Sequence, residues 1–234
     1  MGEEVLSAYI VATMKDWNIS NFHRLASKKG EDWWLIDSKK DLTLENISLL
    51  NPRYIFFPHW SWIIPKEIYS NFECIVFHMT DLPFGRGGSP LQNLIARGIY
   101  ETKVTAIKVV EELDAGAVYL KRPLCLHGNA EEIFIRASNI VFNMIEYIVQ
   151  NEPTPQEQEG KSVVFKRRIP TESRLPDVRN LNKVFDWIRM LDAEGYPKAF
   201  IETENLGLEF SRASLKSGHI IADVEITVRS NQGE

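Results

Sequence analysis

Short runs of apolar residues alternate along the chain with segments whose apolar positions recur at helical spacing. Ala8–Ala12 (AYIVA), Trp33–Ile36 (WWLI), Tyr54–Phe57 (YIFF) and Cys74–Phe77 (CIVF) are continuous apolar runs, the pattern of strands buried on both faces. Between them, Asn18 or Ser20 is placed to cap a helix reaching about Lys28. Leu44–Leu50 is a short amphipathic segment, and Pro65–Asn71 is a helix with proline at its first position. Strands joined by helical crossovers make a parallel sheet, so the predicted class is α/β, Rossmann-like and mostly parallel. Ser89-Pro90-Leu91-Gln92 offers a cap, a proline at the first position and a glutamine at the third, and Gly98 ends that helix. Thr102–Val110 and Ala117–Leu126 are predicted strands joined by the turn EELDAG. A long helix over about Ala130–Gln150 has Ile133, Ile135, Ile140, Val141, Met144, Ile145 and Ile148 as its apolar stripe.

The remainder has a different texture. Asn151–Gly160, acidic and with two prolines, is expected to be a solvated linker. Leu181–Leu191 is a predicted helix. Ala199–Thr203, Leu208–Leu215 and Ile220–Val228 are predicted strands, with turns at Asn205-Leu206-Gly207 and Ser217-Gly218. The expected division is a core over residues 1–152 and a small C-terminal α+β region over 153–234, with Ser230–Glu234 frayed.

Composition narrows the choice of function. The chain has 234 residues, 44% of them hydrophobic and 25% charged, which is ordinary for a globular protein and excludes a disordered or fibrous one. Its net charge of −5 disfavours bulk binding to a phosphate backbone, and no nucleic-acid partner is expected. Cys74 and Cys125 lie in apolar runs, too few for a disulfide framework, and are expected to be buried free thiols. No His, Cys or carboxylate group shows metal-ligand spacing along the chain. The N-terminal apolar stretch is short and lacks a basic lead, and Ser7 stands one place beyond what myristoylation at Gly2 requires. No run approaches the roughly 20 residues of a membrane span. The expected location is cytoplasmic, away from membranes.

The chemistry-bearing stretch is Ile75–Pro90, IVFHMTDLPFGRGGSP. His78 falls where its strand should end, and the carboxyl ends of parallel strands line the ligand crevice. Gly85-Arg86-Gly87-Gly88 then lets backbone approach a ligand closely, although neither standard phosphate motif is met. Asp114 sits in Asp-Ala-Gly, which by itself is good turn chemistry. Together, His78, Thr80, Leu82-Pro83, Arg86-Gly87 and Ser89-Pro90, then Thr102-Lys103-Val104-Thr105, then Leu113-Asp114-Ala115-Gly116 resemble the formyltransferases that use 10-formyltetrahydrofolate. The match in order and spacing runs from about Tyr54 to Leu126.

The resemblance implies transfer of a formyl group from folate N10 to an amine. His78 becomes the acid/base and oxyanion partner, with Asp114 orienting it. Such residue types suit an amine that must lose a proton as it attacks, and an oxyanion that must be stabilised. It also implies folate contacts along Met79, Thr80, Asp81 and Leu82, at Gly88, and on the turn Val110, Glu111, Glu112 and Leu113. Trp60, Ser61 and Trp62 are added because they lie near His78 in the chain. One residue departs from the family pattern: Val76 stands where an asparagine amide usually polarises the formyl oxygen, and Thr80, His59 or a backbone N–H could replace it.

The tail from Ile188 to Ala213 looks like that of the sugar N-formyltransferases, and the variant HMTDLPFGRGGSPLQNLI, from His78 to Ile95, looks like their pseudaminic-acid-type branch. A nucleotide-linked amino sugar is then the expected substrate, with Lys15, Trp17, Arg86, Lys166 and Arg168 as candidate contacts. The alternatives are a hydrolase of 10-formyltetrahydrofolate, or a non-catalytic folate or nucleotide-sugar binding module. A homodimer through an edge of the strand-rich tail is also conceivable.

Overall fold

The computed structural model describes residues 7–28 and 30–229. The expectations for Gly2 and for Ser230–Glu234 lie outside the described residues. In chain order the elements are β1 (Ala8–Ala12), α1 (Asp16–Ala26), β2 (Asp32–Ile36), α2 (Leu44–Leu50), β3 (Tyr54–Phe57), α3 (Lys66–Tyr69), β4 (Cys74–His78), β5 (Phe84–Gly87), α4 (Pro90–Ala96), β6 (Glu101–Lys108), β7 (Val118–Cys125), α5 (Ala130–Asn151), β8 (Val163–Phe165), α6 (Leu181–Arg189), β9 (Ala199–Glu202), β10 (Leu206–Lys216) and β11 (His219–Val228). The principal sheet has the order β2-β1-β3-β4-β6-β7. Its first four strands are parallel, and β6 runs antiparallel to β4. This is the mostly parallel α/β architecture that the apolar runs predict.

The chain forms two compact units, and their boundaries fall at several places rather than near residue 152. One unit holds residues up to Gly87, with Thr102–Leu124 and Ile135–Val164. The other holds Gly88–Glu101, Cys125–Phe134 and Phe165 onward. In the first unit, Ile10, Ala12, Ile55, Phe57 and Cys74 turn to one face of the sheet and pack with Ile36, Leu42, Ile47, Ile64 and Ile68. Burying each such side chain is worth about 1.5–3 kcal/mol. On the alternate positions Tyr9, Tyr54 and Phe56 form an aromatic ladder, with Tyr9–Trp33 at 4.9 Å and Tyr54–Phe56 at 5.6 Å between centroids. Burial pushes the Cys74 thiol up to about 12, with help from the Glu73 charge. The thiol is therefore inert. Cys125 is only half-buried, unlike the expectation.

Three local expectations change. α1 starts at Asp16, not at Asn18 or Ser20. Asn18 lies inside the helix and its amide donates to Thr13 Oγ1 at 2.9 Å and Pro58 O at 3.2 Å. Ser89 does occupy the cap of α4, yet its hydroxyl accepts from Arg168 N–H at 3.1 Å and caps nothing in the helix. The glycine-rich turn is in part a strand, β5, paired with β8, which no hydrophobic period announced because two of its four residues are glycine.

The second unit is built on a three-stranded sheet of order β11-β10-β9, antiparallel throughout. A register shift between Ser211 and Ser214 marks a bulge there, with Arg212 at φ +49°. Its core contains a buried ion pair, Arg189 Nε donating to Asp186 Oδ1 at 2.7 Å. Among the described residues no helix is long and apolar enough to cross a membrane.

Candidate active site

β4 ends on His78, which is 8% exposed. Its Nε2 lies 2.7 Å from Gly85 O, and its Nδ1 lies 3.5 Å from Asp114 Oδ2. A neutral imidazole carries one N–H. Donating it to Gly85 leaves the Nδ1 lone pair beside the carboxylate, ready to take a proton that Asp114 would then share. The strand end thus brings together the two side chains that the sequence separates.

Asp114 is held from three directions. Gly87 N–H donates to its Oδ2 at 2.8 Å. Its own backbone is left-handed, φ +54°, which aspartate tolerates better than most residues. Its carbonyl, and that of Gly116, accept from Gln158 Nε2 at 2.8 and 2.9 Å. Gln158 Oε1 in turn accepts from Arg86 Nε and Nη2 at 3.1 and 2.9 Å, while Arg86 Nη1 donates to Glu112 Oε1 at 2.9 Å. Gly116 is required by space: a Cβ there would stand 1.8 Å from Lys108 O.

The sequence missed Gln158. Residues 151–160 are not a free linker, since Gln156 N–H and O both bond to Val118 at 2.9 and 2.7 Å and Gln158 ties down the Asp114 turn. Polar residues with two prolines gave no periodic signal. Arg86 is likewise part of this network, bonded to Gln158 and Glu112.

Among the expected folate contacts, Thr80 is fully buried and its hydroxyl donates to Gly85 O at 3.3 Å, while Thr105 Oγ1 donates to Thr80 O at 2.6 Å. Met79 is half-buried and Leu82 lies in the core. Burial raises the Asp81 carboxyl, but its bonds to Lys121 and Lys103 outweigh this and hold it below the usual carboxylate range. On the following turn Glu111 and Glu112 are exposed, and Val110 and Leu113 present apolar surface at 40% and 59% exposure. Trp60 packs against the core and edge-on to Trp62 at 5.1 Å. Its indole N–H is buried without an acceptor, and Ser61 and Trp62 are exposed beside it. Lys66 and Glu111, 3.5 Å apart, and Val109, packed on the same cluster as Trp60, bring the turn and the tryptophan segment to one rim. An unpaired indole donor, flat rings and exposed apolar side chains fit a fused-ring ligand with polar edges.

Gly88 belongs to the second unit, where Arg167 fills the space a Cβ would need and its N–H donates to Phe165 O. Lys15 lies over the Trp17 ring at 5.4 Å, and Trp17 meets His59 edge-on at 5.8 Å. Lys166 is exposed, whereas the Arg168 guanidinium stacks on Trp187 at 4.7 Å, where burial lowers its affinity for a proton. Val76 pairs with Phe57 and Ile107 and packs on the core, so it offers no donor.

Comparison with known proteins changes the expected substrate. Residues 170–227 match the family model for the C-terminal domain of methionyl-tRNA formyltransferase. A solved structure titled "Methionyl-tRNA formyltransferase from Clostridium thermocellum" is 56% identical with a TM-score of 0.94, covering 96% of this chain and 100% of that one. The methionyl-tRNA formyltransferase of Campylobacter lari is 28% identical over 193 residues, which is 78% of this chain and 62% of that protein. The chain therefore spans about three fifths of that curated relative. A 4-N formyltransferase from Francisella tularensis shares the fold at 16% identity and a TM-score of 0.66, covering 85% of this chain and 93% of that one.

These findings overturn the expected nucleotide-linked amino sugar and, with it, the exclusion of a nucleic-acid partner. The helix and hairpins read as a sugar-enzyme tail lie in the segment that the methionyl-tRNA formyltransferase C-terminal model matches. A net charge of −5 is a sum over the whole surface and says little about one local groove.

Proposed function

The chain belongs to the formyltransferase family that includes the methionyl-tRNA formyltransferases, and from that membership we propose that it moves a formyl group from 10-formyltetrahydrofolate to the amine of methionyl-tRNA. The observation that carries the reading is the His78–Asp114 pair at 3.5 Å, set at a strand end in a chain 56% identical to a protein of that name. When bound, 10-formyltetrahydrofolate would supply the formyl group, and tetrahydrofolate would be the leaving group once the amine nitrogen takes that carbon. His78 Nδ1 takes the proton that the amine loses and returns it to the departing nitrogen, so the products are a formylated amine and tetrahydrofolate. Asp114 stabilises the imidazolium formed between those two events.

The formyl oxygen also needs a donor in place of Val76. Thr80 is engaged by Gly85. His59 is favoured, because Phe57 pairs with Val76 in the parallel register and each histidine lies two residues beyond that pair. Burial, and secondarily the Lys15 charge, lower the His59 pKa from 6.5 to about 4, so near neutral pH the ring is uncharged.

The test is incubation with 10-formyltetrahydrofolate and methionyl-tRNA, with product read by mass spectrometry of the released aminoacyl group. Formylmethionine is expected, and it is lost in His78→Ala. Wild-type protein that binds folate yet forms no formylmethionine sinks the proposal.

A further inference from the structure

In the second unit, Glu101, Cys125 and His127 place a carboxylate oxygen, a sulfur and an imidazole nitrogen within 4.8 Å of one another. Reading along the chain hides this set, since Glu101 opens β6 while Cys125 closes β7. We infer that these three side chains form a binding site for one divalent transition-metal ion, with Zn²⁺ as the ion the donors suit. Thiolate with imidazole selects zinc-like ions over the hard cations Mg²⁺ and Ca²⁺. Three protein donors leave a fourth, tetrahedral position to water.

The geometry is close to what the ion needs. A metal at the centre of a triangle with sides no longer than 4.8 Å stands about 2.8 Å or less from each donor, against about 2.3 Å to sulfur and about 2.0–2.2 Å to nitrogen or oxygen in zinc sites. Small side-chain rotations close the difference. Leu124 and Leu126 are buried, at 1% and 0% exposure. The alternate positions Cys125 and His127 therefore turn to the other side of the strand together. Glu101 and His127 are exposed, which gives the ion an entry path.

The backbone carrying the donors is fixed. Leu126 N–H donates to Tyr100 O at 2.8 Å, joining the segment between the cysteine and the histidine to the residue before Glu101. The Tyr100 ring stacks on His127 at 5.5 Å with 8° between planes. Arg189 Nη1 donates to Leu126 O at 2.6 Å and Gly128 O at 2.7 Å, gripping the carbonyls on both sides of His127. Its charge does not oppose a cation unscreened, because Asp186 accepts from Arg189 Nε at 2.7 Å and from Tyr100 OH at 2.6 Å. Supporting bonds of this kind orient ligands in metal sites.

Titration of the reduced, untagged full chain with Co²⁺ alone tests the site. The expected result is one equivalent bound, with a sulfur-to-cobalt charge-transfer band that Zn²⁺ abolishes. The band disappears in Cys125→Ser, whose far-ultraviolet circular dichroism is unchanged. His127→Ala and Glu101→Gln each weaken Zn²⁺ binding at least tenfold. Absence of the band, its survival in Cys125→Ser, or unaltered affinity in either of the other variants overturns the site.

Discussion

At the scale of single residues, the placement of the candidate pair was legible because it depends on what stands at the end of a strand. The apolar run Cys74–Phe77 located β4 and therefore put His78 at its carboxyl end, and the Asp-Ala-Gly turn placed Asp114. Val76 was legible as a departure and His59 stood among the candidates to replace the missing amide, but its left-handed backbone, φ +53°, is announced by no pattern. Two consequences follow for His59. In formyl transfer, His59→Ala lowers kcat by about 10²–10³-fold, as loss of one oxyanion donor does elsewhere. His59→Asn keeps a donor and tolerates the positive φ, so steady-state kinetics should place it within about tenfold of wild type. In stability, the ordinary pKa of 6.5 falls to about 4 in the folded protein. Below 6.5 the unfolded chain takes up a proton that the folded chain refuses, so the contribution is whole above 6.5 and is lost as the pH falls towards 4. Urea titrations across that window should show wild-type stability declining with acid and His59→Asn declining less steeply. Equal slopes would mean that the ring titrates freely in the folded state.

At the scale of elements, strands and long helices were found within a residue or two, and the failures share one cause. β5, with its two glycines, and the segment 151–160 have no hydrophobic period to read, because what fixes them is hydrogen bonding to distant backbone. Gln158 bonds both carbonyls of the Asp114 turn and receives two donors from Arg86. It is a positioning residue. Gln158→Ala lowers kcat about tenfold while KM for 10-formyltetrahydrofolate moves less than about threefold, the split expected when an acid–base group is misplaced and the cofactor wall is intact. A change confined to KM would show that the strap shapes the cofactor groove and leaves Asp114 in place. Gly116→Ala has no such subtlety. A Cβ 1.8 Å from Lys108 O forces the hairpin end apart, and denaturant unfolding should show a loss of about 3 kcal/mol or more.

For the molecule as a whole, the family could be read from one composite motif, whereas the acceptor could not, because the tail read as a sugar enzyme's lies in residues 170–227, which match the C-terminal domain of methionyl-tRNA formyltransferase. The charge balance nevertheless bears on how an RNA-linked amine would be held. Lysines and arginines number 27 against 32 acids, and several cations are already committed: Lys103 and Lys121 to Asp81, Arg86 to Glu112, Arg174 to Glu202, Arg189 to Asp186. On the proposed function, an acceptor held by its charged end and a few phosphates needs only a local cluster of cations, which a net charge of −5 does not oppose. Counterion release then predicts a shallow salt dependence. Between about 50 and 200 mM salt, an interface of 6–10 phosphates loses about 10³–10⁵ in affinity. Here KM for methionyl-tRNA should rise by no more than about tenfold over that range, while KM for 10-formyltetrahydrofolate stays nearly level. A rise of a hundredfold or more in the first constant would mean that cations gather into an extended RNA track, and that far more of the tRNA is held than the end that carries the amine.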